Sequence, residues 1–139
     1  GRRLLLMHGD QLCTDDRDYQ RFRRKARNPI YRWVLAHLPL ARRQSIATEW
    51  RRKSHQENRN KPSAIMDVNQ AAVRRVMHDE QATVLIHGHT HRPARHALDD
   101  GQKERIVLGD WERLGWCLRS EQQGLELLSF AIATPAAGV

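Results

Sequence analysis

Two short apolar runs, LLLM at 4–7 and TVLIH at 83–87, each end in histidine: His8 follows the first run and His87 closes the second. Runs this short, bounded by polar residues, read as buried strands rather than helices. Between them lies a long stretch of helical pattern, and after the second come RIVLGDW, WCLRS and LELLSFAIA, three further strand candidates separated by Gly and charged turns. The order is strand, helical block, helix, strand, then several strands. It predicts an α/β core with a helical insertion after its first visible strand.

The helical block divides at its own punctuation. Asp15 or Asp16 can cap a helix that begins RDYQRFRRKARN, with Tyr19, Phe22 and Ala26 at helical spacing. Asn28-Pro29 ends it, and Pro29 suits the first position of the next helix, PIYRWVLAHLP, with Ile30, Trp33, Val34, Ala36 and Leu38 as its apolar side. A third helix is predicted from about Leu40 to Gln56, followed by the polar link NRNKPS. A fourth lies within SAIMDVNQAAVRRVMHDEQ, capped by Asp67 or Asn69, with Ala72, Val73, Val76 and Met77 toward a core. TPAAGV reads as a frayed tail, and Trp111 and Trp116 as core residues of the strand-rich end.

The 139 residues carry a formal net charge of +8, placed unevenly. From Arg17 to Lys61 there are 14 Lys or Arg against three acids, whereas the remainder has 10 basic and 13 acidic residues. A basic element is therefore grafted on a mildly acidic body, and its partner should be anionic. Two cysteines, Cys13 and Cys117, are too few for a disulfide framework and suit a reducing compartment; Cys13 reads as structural. No apolar run is long enough to cross a bilayer. The chain opens on GRRLLLMHGD without an initiator Met, which suggests a piece of something longer.

His87, His89 and His91 occupy alternate positions, and His8 ends the other strand. Ligands in open α/β folds collect at the carboxyl ends of strands, so these distant histidines can converge. Neutral imidazole is a common ligand of Zn, Mn, Fe or Ni, and alternate residues in an extended turn can turn two nitrogens to one ion. Gly88 is expected to supply unusual backbone dihedrals there. The competing account is a hydrogen-bonded loop with surface histidines.

GHTH after a strand, with HG at an earlier strand end, resembles the last two motifs of calcineurin-like metallophosphoesterases. HGDQLCTDDRDYQRFR, NKPSAIMDVN, LIHGHTHRP and VLGDW resemble more closely the UDP-2,3-diacylglucosamine hydrolases of lipid A biosynthesis, from Leu4 to about Phe130. The resemblance implies an α/β fold: the carboxyl-terminal part of a metallophosphoesterase β-sandwich flanked by helices. Positions 1–139 would be one partial domain, with a basic helical insertion, or lid, at about 16–60. It also implies a dinuclear-metal-dependent pyrophosphate hydrolase with two Mn²⁺ per intact site. His8 and His89 match ligands of one ion and His91 a ligand of the other, while His87 is expected behind them or in a structural role. Asp16, Tyr19 and Phe22 match substrate contacts, and Arg51, Ser54, Asn58 and Lys61 match groups that hold the phosphosugar and its acyl-bearing headgroup. His89, Arg51 and Lys61 would assist catalysis.

The implied partners are a nucleotide-linked lipid and the anionic cytoplasmic face of the bacterial inner membrane, with the protein peripheral and no nucleic acid expected. The family's upstream Asp-x-His, Gly-Asp and Gly-Asn-x-Asp segments do not appear before His8. The fragment alone is therefore expected to be inactive. Ile30, Trp33, Val34, Leu38, Ile46 and Trp50 could line a groove for acyl chains or simply pack the helices, and Tyr19 and Phe22 have the same two options. Two other functions stay open. One is another metal-dependent phosphodiesterase acting on nucleotides or nucleic acid, and the other is a non-enzymatic module for anionic surfaces.

Overall fold

The computed structural model describes residues 2–62 and 65–132, apart from the side chains at 55 and 57–60. The expected tail from Thr134 to Val139 and the Ser63-Ala64 part of the polar link lie outside the described residues. The architecture is mixed α/β. It forms two compact units, one made of residues 1–12 and 68–139, the other of 13–67.

The first unit is built on a four-stranded sheet of β1 (Leu4–Met7), β2 (Val84–His87), β4 (Lys103–Val107) and β3 (Ala94–Leu98), in that spatial order. β1, β2 and β4 run parallel, and β3 returns antiparallel on β4. β2 is buried along its whole length, as an apolar central strand must be. Val84, Ile86 and Ile106 point to one face, where Leu118, Leu125 and Leu127 pack on them. These leucines come from a two-stranded antiparallel sheet, β5 (Leu114–Glu121) and β6 (Gly124–Ala131). Leu4 and Leu6 pair with Val84 and Ile86 and so share their face, yet both are exposed. Leu85, His87, Arg105 and Val107 are buried on the other face.

β3 is the strand that the sequence reading lacks. ARHAL alternates half-buried and exposed residues at a sheet edge, and its Arg and His hide the apolar signal. Arg95 on β3 is held by Glu104 and donates to the Leu125 carbonyl, tying the two sheets. In the same unit, helix α4 (Gln70–Asp79) starts at Asn69, whose side chain accepts from the Ala72 amide. It buries Val73 and Met77, spaced one turn apart.

The second unit holds α1 (Arg17–Arg27), α2 (Pro29–His37) and α3 (Leu40–Asn60). Of the two candidate caps, Asp16 serves α1 by accepting from the Tyr19 amide at 3.0 Å. Asn28 caps α2 with Pro29 in the first turn. α3 runs four residues past Gln56 because HQENRN contains no breaker; Lys61, placed before Pro62, is extended and stops it. Phe22 meets Trp50 edge-on at 5.0 Å, Tyr31 stacks on Trp50 at 6.0 Å, and Lys25 sits over the Tyr31 ring. On the α3 surface, a hydrogen bond from Arg52, and then its charge, holds the Glu49 carboxyl below its ordinary range.

Candidate functional site

The parallel register brings the chemistry to one edge of the sheet. Leu4 pairs with Val84 and Met7 with His87, and Ile86 and His87 pair with Ile106 and Val107. The three strands therefore end level. Their next residues are His8, Gly88-His89 and Leu108-Gly109-Asp110. The Gly88 amide donates to the His8 carbonyl at 3.1 Å and the Leu108 amide to the His87 carbonyl at 2.8 Å, extending the ladder by one step. The rings of His8 and His89, 81 positions apart in sequence, stand 4.9 Å apart between centroids. The expected meeting of two distant strand tips is present.

Each outer histidine has a carboxylate beside it. His8 Nδ1 lies 3.2 Å from Oδ1 of buried Asp10, and His91 Nδ1 lies 3.6 Å from Oδ2 of Asp110. A carboxylate that accepts from Nδ1 would fix the proton there and leave Nε2 with its lone pair, the arrangement common behind metal-binding histidines; here both acids stand at ion-pair distance, Asp110 beyond hydrogen-bond length. The sequence reading passed over both acids in this role. Their signal was the repeated Gly-Asp that begins two positions beyond a strand end, after Met7 and after Val107. Asp10 reaches back because Gly9 turns with φ +103° into a single 3-10 turn, Asp10–Leu12.

The expectation for Gly88 is not met. The left-handed residues of this loop are His89 (φ 66°) and His91 (φ 51°), whereas Gly88 is not among the residues with positive φ. A Cβ there would meet only the His8 carbonyl oxygen at 3.9 Å, an ordinary contact, so space does not call for glycine either. Non-glycine residues in this region cost of order 1–3 kcal/mol and persist only where the surroundings hold them.

His87 is a structural residue. It is 1% exposed, its Nδ1 is 2.9 Å from the Gly88 carbonyl oxygen, and its Nε2 is 3.3 Å from Arg105 Nη1. A carbonyl and a guanidinium admit one neutral tautomer, with Nδ1 donating and Nε2 accepting. Both nitrogens are thus used inside the protein. Trp111, expected in the core, is instead 62% exposed; it sits in the loop after Asp110 and its indole donates to the Trp116 carbonyl.

Two imidazoles bonded to one ion by metal–nitrogen bonds of about 2.1 Å have centroids about 5 Å apart, the separation seen for His8 and His89. The donor set therefore fits part of a metal site. It is not a whole one: among the described residues no three His, Cys, Asp or Glu side chains gather as a metal cage.

The helical unit contains a second feature, a cavity of about 540 Å³ lined by Tyr19, Phe22, Lys25, Trp50, Ser54 and Lys61 among others. Four of the expected substrate contacts, Tyr19, Phe22, Ser54 and Lys61, line it. Asp16 does not; it is buried, caps α1 and grips Lys61 Nζ with both oxygens at 2.9 Å. Arg51 is exposed and outside the lining, and the Asn58 side chain lies outside the described residues. Trp50 is the one member of the proposed acyl-groove set found on the lining.

No protein-family model matches the chain. Relatives do. It is 50% identical over 134 residues to a UDP-2,3-diacylglucosamine hydrolase of Azotobacter vinelandii, covering 95% of this chain and 56% of the relative. Proteins of the same name match at 48% over 132 residues in Pseudomonas fluorescens (94% and 53%) and at 53% over 126 residues in Pseudomonas aeruginosa (89% and 52%). Identity at this level across both the histidine tips and the basic helices makes the chain a homologue of the UDP-2,3-diacylglucosamine hydrolases, spanning about half the length of the curated relatives it matches.

Proposed function

We propose that the chain is the carboxyl-terminal portion of a hydrolase that cleaves the pyrophosphate of UDP-2,3-diacylglucosamine to UMP and 2,3-diacylglucosamine 1-phosphate (lipid X) in lipid A biosynthesis. The observation that carries this reading is the pairing of His8 with His89 at adjoining strand ends in a chain half-identical to such hydrolases. In this reading residues 1–139 are part of a single metallophosphoesterase β-sandwich, and positions 16–60 are its basic lid. Exposed Leu4 and Leu6, on the face that the β5–β6 leucines cover elsewhere, support a sandwich that continues past β1.

His8 and His89 would hold one Mn²⁺ and His91 the other, with Asp10 and Asp110 fixing the rings of His8 and His91. When bound, such a pair supplies Lewis acidity and a water of lowered pKa. The water oxygen would bond to the α-phosphorus as its proton passes to solvent, the bond to the bridging oxygen would break, and that electron pair would leave on the sugar 1-phosphate. His89 would offset charge beside the attacked phosphorus. Arg51 as a fork and Lys61 as a point charge would complement the departing phosphate. A charged hydrogen bond of this kind is worth about 1.5–3 kcal/mol, about one to two decades in rate if made in the transition state. Asp16 sets where Lys61 can reach, and Tyr19, Phe22, Ser54 and Asn58 would hold the phosphosugar headgroup. The protein would work as a peripheral protein on the cytoplasmic face of the inner membrane. Among the described residues no helix is long and apolar enough to cross a bilayer.

The test is a chimera in which this chain replaces the matching segment of the Azotobacter vinelandii hydrolase. With Mn²⁺ it should release UMP from UDP-2,3-diacylglucosamine, lose that activity on chelation, and lose it with His89→Ala; this chain alone should release none. A folded chimera without activity, or one that cleaves generic phosphodiesters equally well, defeats the reading.

A further inference from the structure

We propose that Trp111 is the platform on which the uracil of the substrate's nucleotide half stacks, a base subsite beside the histidine tips. The inference rests on the hydrolase reading, which brings the α-phosphate to the carboxyl edge of the sheet with the base attached to it through one ribose. β4 delivers Trp111 to that same edge. Leu108-Gly109-Asp110 follows the strand, and Asp110 faces two ways. Its Oδ2 lies 3.6 Å from His91 Nδ1, while its Oδ1 accepts from the Glu112 amide at 3.4 Å. The acid beside one histidine thus also shapes the turn that carries Trp111, whose Cα is only about 3.8 Å further along the chain.

The indole is held and yet open. Its Nε1 donates to the Trp116 carbonyl at 3.0 Å, and Phe130 meets it edge-on, with ring centroids 5.4 Å apart. Two glycines make room for this cluster. Gly109 faces the Trp116 ring and Gly115 the Phe130 ring, each so closely that a Cβ would overlap it. With its one polar atom satisfied inside the protein, Trp111 is still 62% exposed. A single surface Trp needs no such support. A ring already fixed loses little freedom when a flat ligand lies on it, which favours binding. A bilayer or a protein partner fits less well, because exposed Glu112 and Arg113 follow Trp111 directly and such a partner would bury their charges with the ring. A nucleobase covers the ring alone. Base–aromatic stacking is tolerant of the base it meets, so Trp111 would supply hold on the nucleotide rather than choice among bases.

The experiment measures binding rather than turnover, by calorimetry on the Mn²⁺-loaded chimera. UMP is compared with ribose 5-phosphate, which has the same sugar and phosphate but no base. The parent should bind UMP more tightly by about fivefold or more, the lower end of what a base–aromatic stack contributes. Trp111→Leu should remove that margin and leave ribose 5-phosphate binding as it was, whereas Trp111→Phe should keep most of it. Both variants lose the bond to the Trp116 carbonyl, so the difference between them reports the aromatic plane alone, and circular dichroism should match for all three proteins. The proposal is overturned if the parent shows no preference for UMP or if Trp111→Leu keeps the preference. It is also overturned if the Leu and Phe variants behave alike, or if Trp111→Leu weakens both ligands equally. A chimera that binds UMP through Trp111 yet hydrolyses nothing would sink the hydrolase reading alone. One that hydrolyses the lipid substrate while its UMP binding ignores Trp111→Leu would sink only this inference.

Discussion

Gly9→Ala tests how the first strand tip is held. Gly9 adopts φ +103°, and an added Cβ would stand 2.8 Å from His87 Nδ1 and 3.2 Å from its Cβ and Cγ. A β-carbon in that backbone region costs of order 1–3 kcal/mol. His87 cannot step aside, because it is buried with one nitrogen against the Gly88 carbonyl and the other against Arg105. Overpacking a site of this kind adds about 1–3 kcal/mol. The combined loss is about 2–6 kcal/mol, a large share of the roughly 5–15 kcal/mol that holds a typical domain. Gly88→Ala is the matched control. Its Cβ would meet nothing nearer than the His8 carbonyl oxygen at 3.9 Å, and its backbone is not left-handed. That variant should stay within about 1 kcal/mol of the parent. Urea unfolding followed by circular dichroism, with slopes compared as well as midpoints, gives both numbers. If Gly9→Ala costs less than about 1 kcal/mol, or Gly88→Ala costs as much as Gly9→Ala, the contact with His87 does not organise this loop.

Two further outcomes are expected. Asp16→Ala should cost more than Lys61→Met, since it removes the α1 cap, worth about 1 kcal/mol, as well as the ion pair. A double-mutant cycle should show coupling of at least about 1 kcal/mol, and strictly additive losses would mean the two groups do not support each other. Leu6→Ser should be nearly neutral in this chain, where Leu6 is exposed, and should cost about 1.5 kcal/mol or more in the chimera, where a continued sandwich would bury it. Equal effects in the two settings would argue against that continuation.

Much of the helical unit was legible because its signals are local. Asn28-Pro29 and Pro39 delimit α1, α2 and the start of α3, since a proline lacks the amide a helix needs and restricts the residue before it; the sequence reading ends α3 four residues short, at Gln56, although Lys61-Pro62 marks its end. Caps were legible only to within a choice. Asp15 and Asp16 are chemically alike, and the selection of Asp16 comes from its grip on Lys61, 45 positions away. β3 escaped notice because an edge strand is buried on one side only, and this one puts Arg95 and Ala97 outward and the polar His96 among its half-buried positions, so no apolar alternation shows. Trp111 was misjudged for a related reason: its apolar bulk is local, but its place in a loop is not.

At the histidine site, the chain of residues alone determined which groups stand at strand ends, since an apolar run followed by His needs no distant information. It also determined the separation of a basic helical stretch from an acidic body. Tertiary structure decided the rest. Parallel register set His8 beside His89, and the level ending of β4 brought Asp110 within ion-pair reach of His91. The reason is that a strand's sequence specifies which residues it carries but not which strand lies next to it; pairing register is a property of two segments at once.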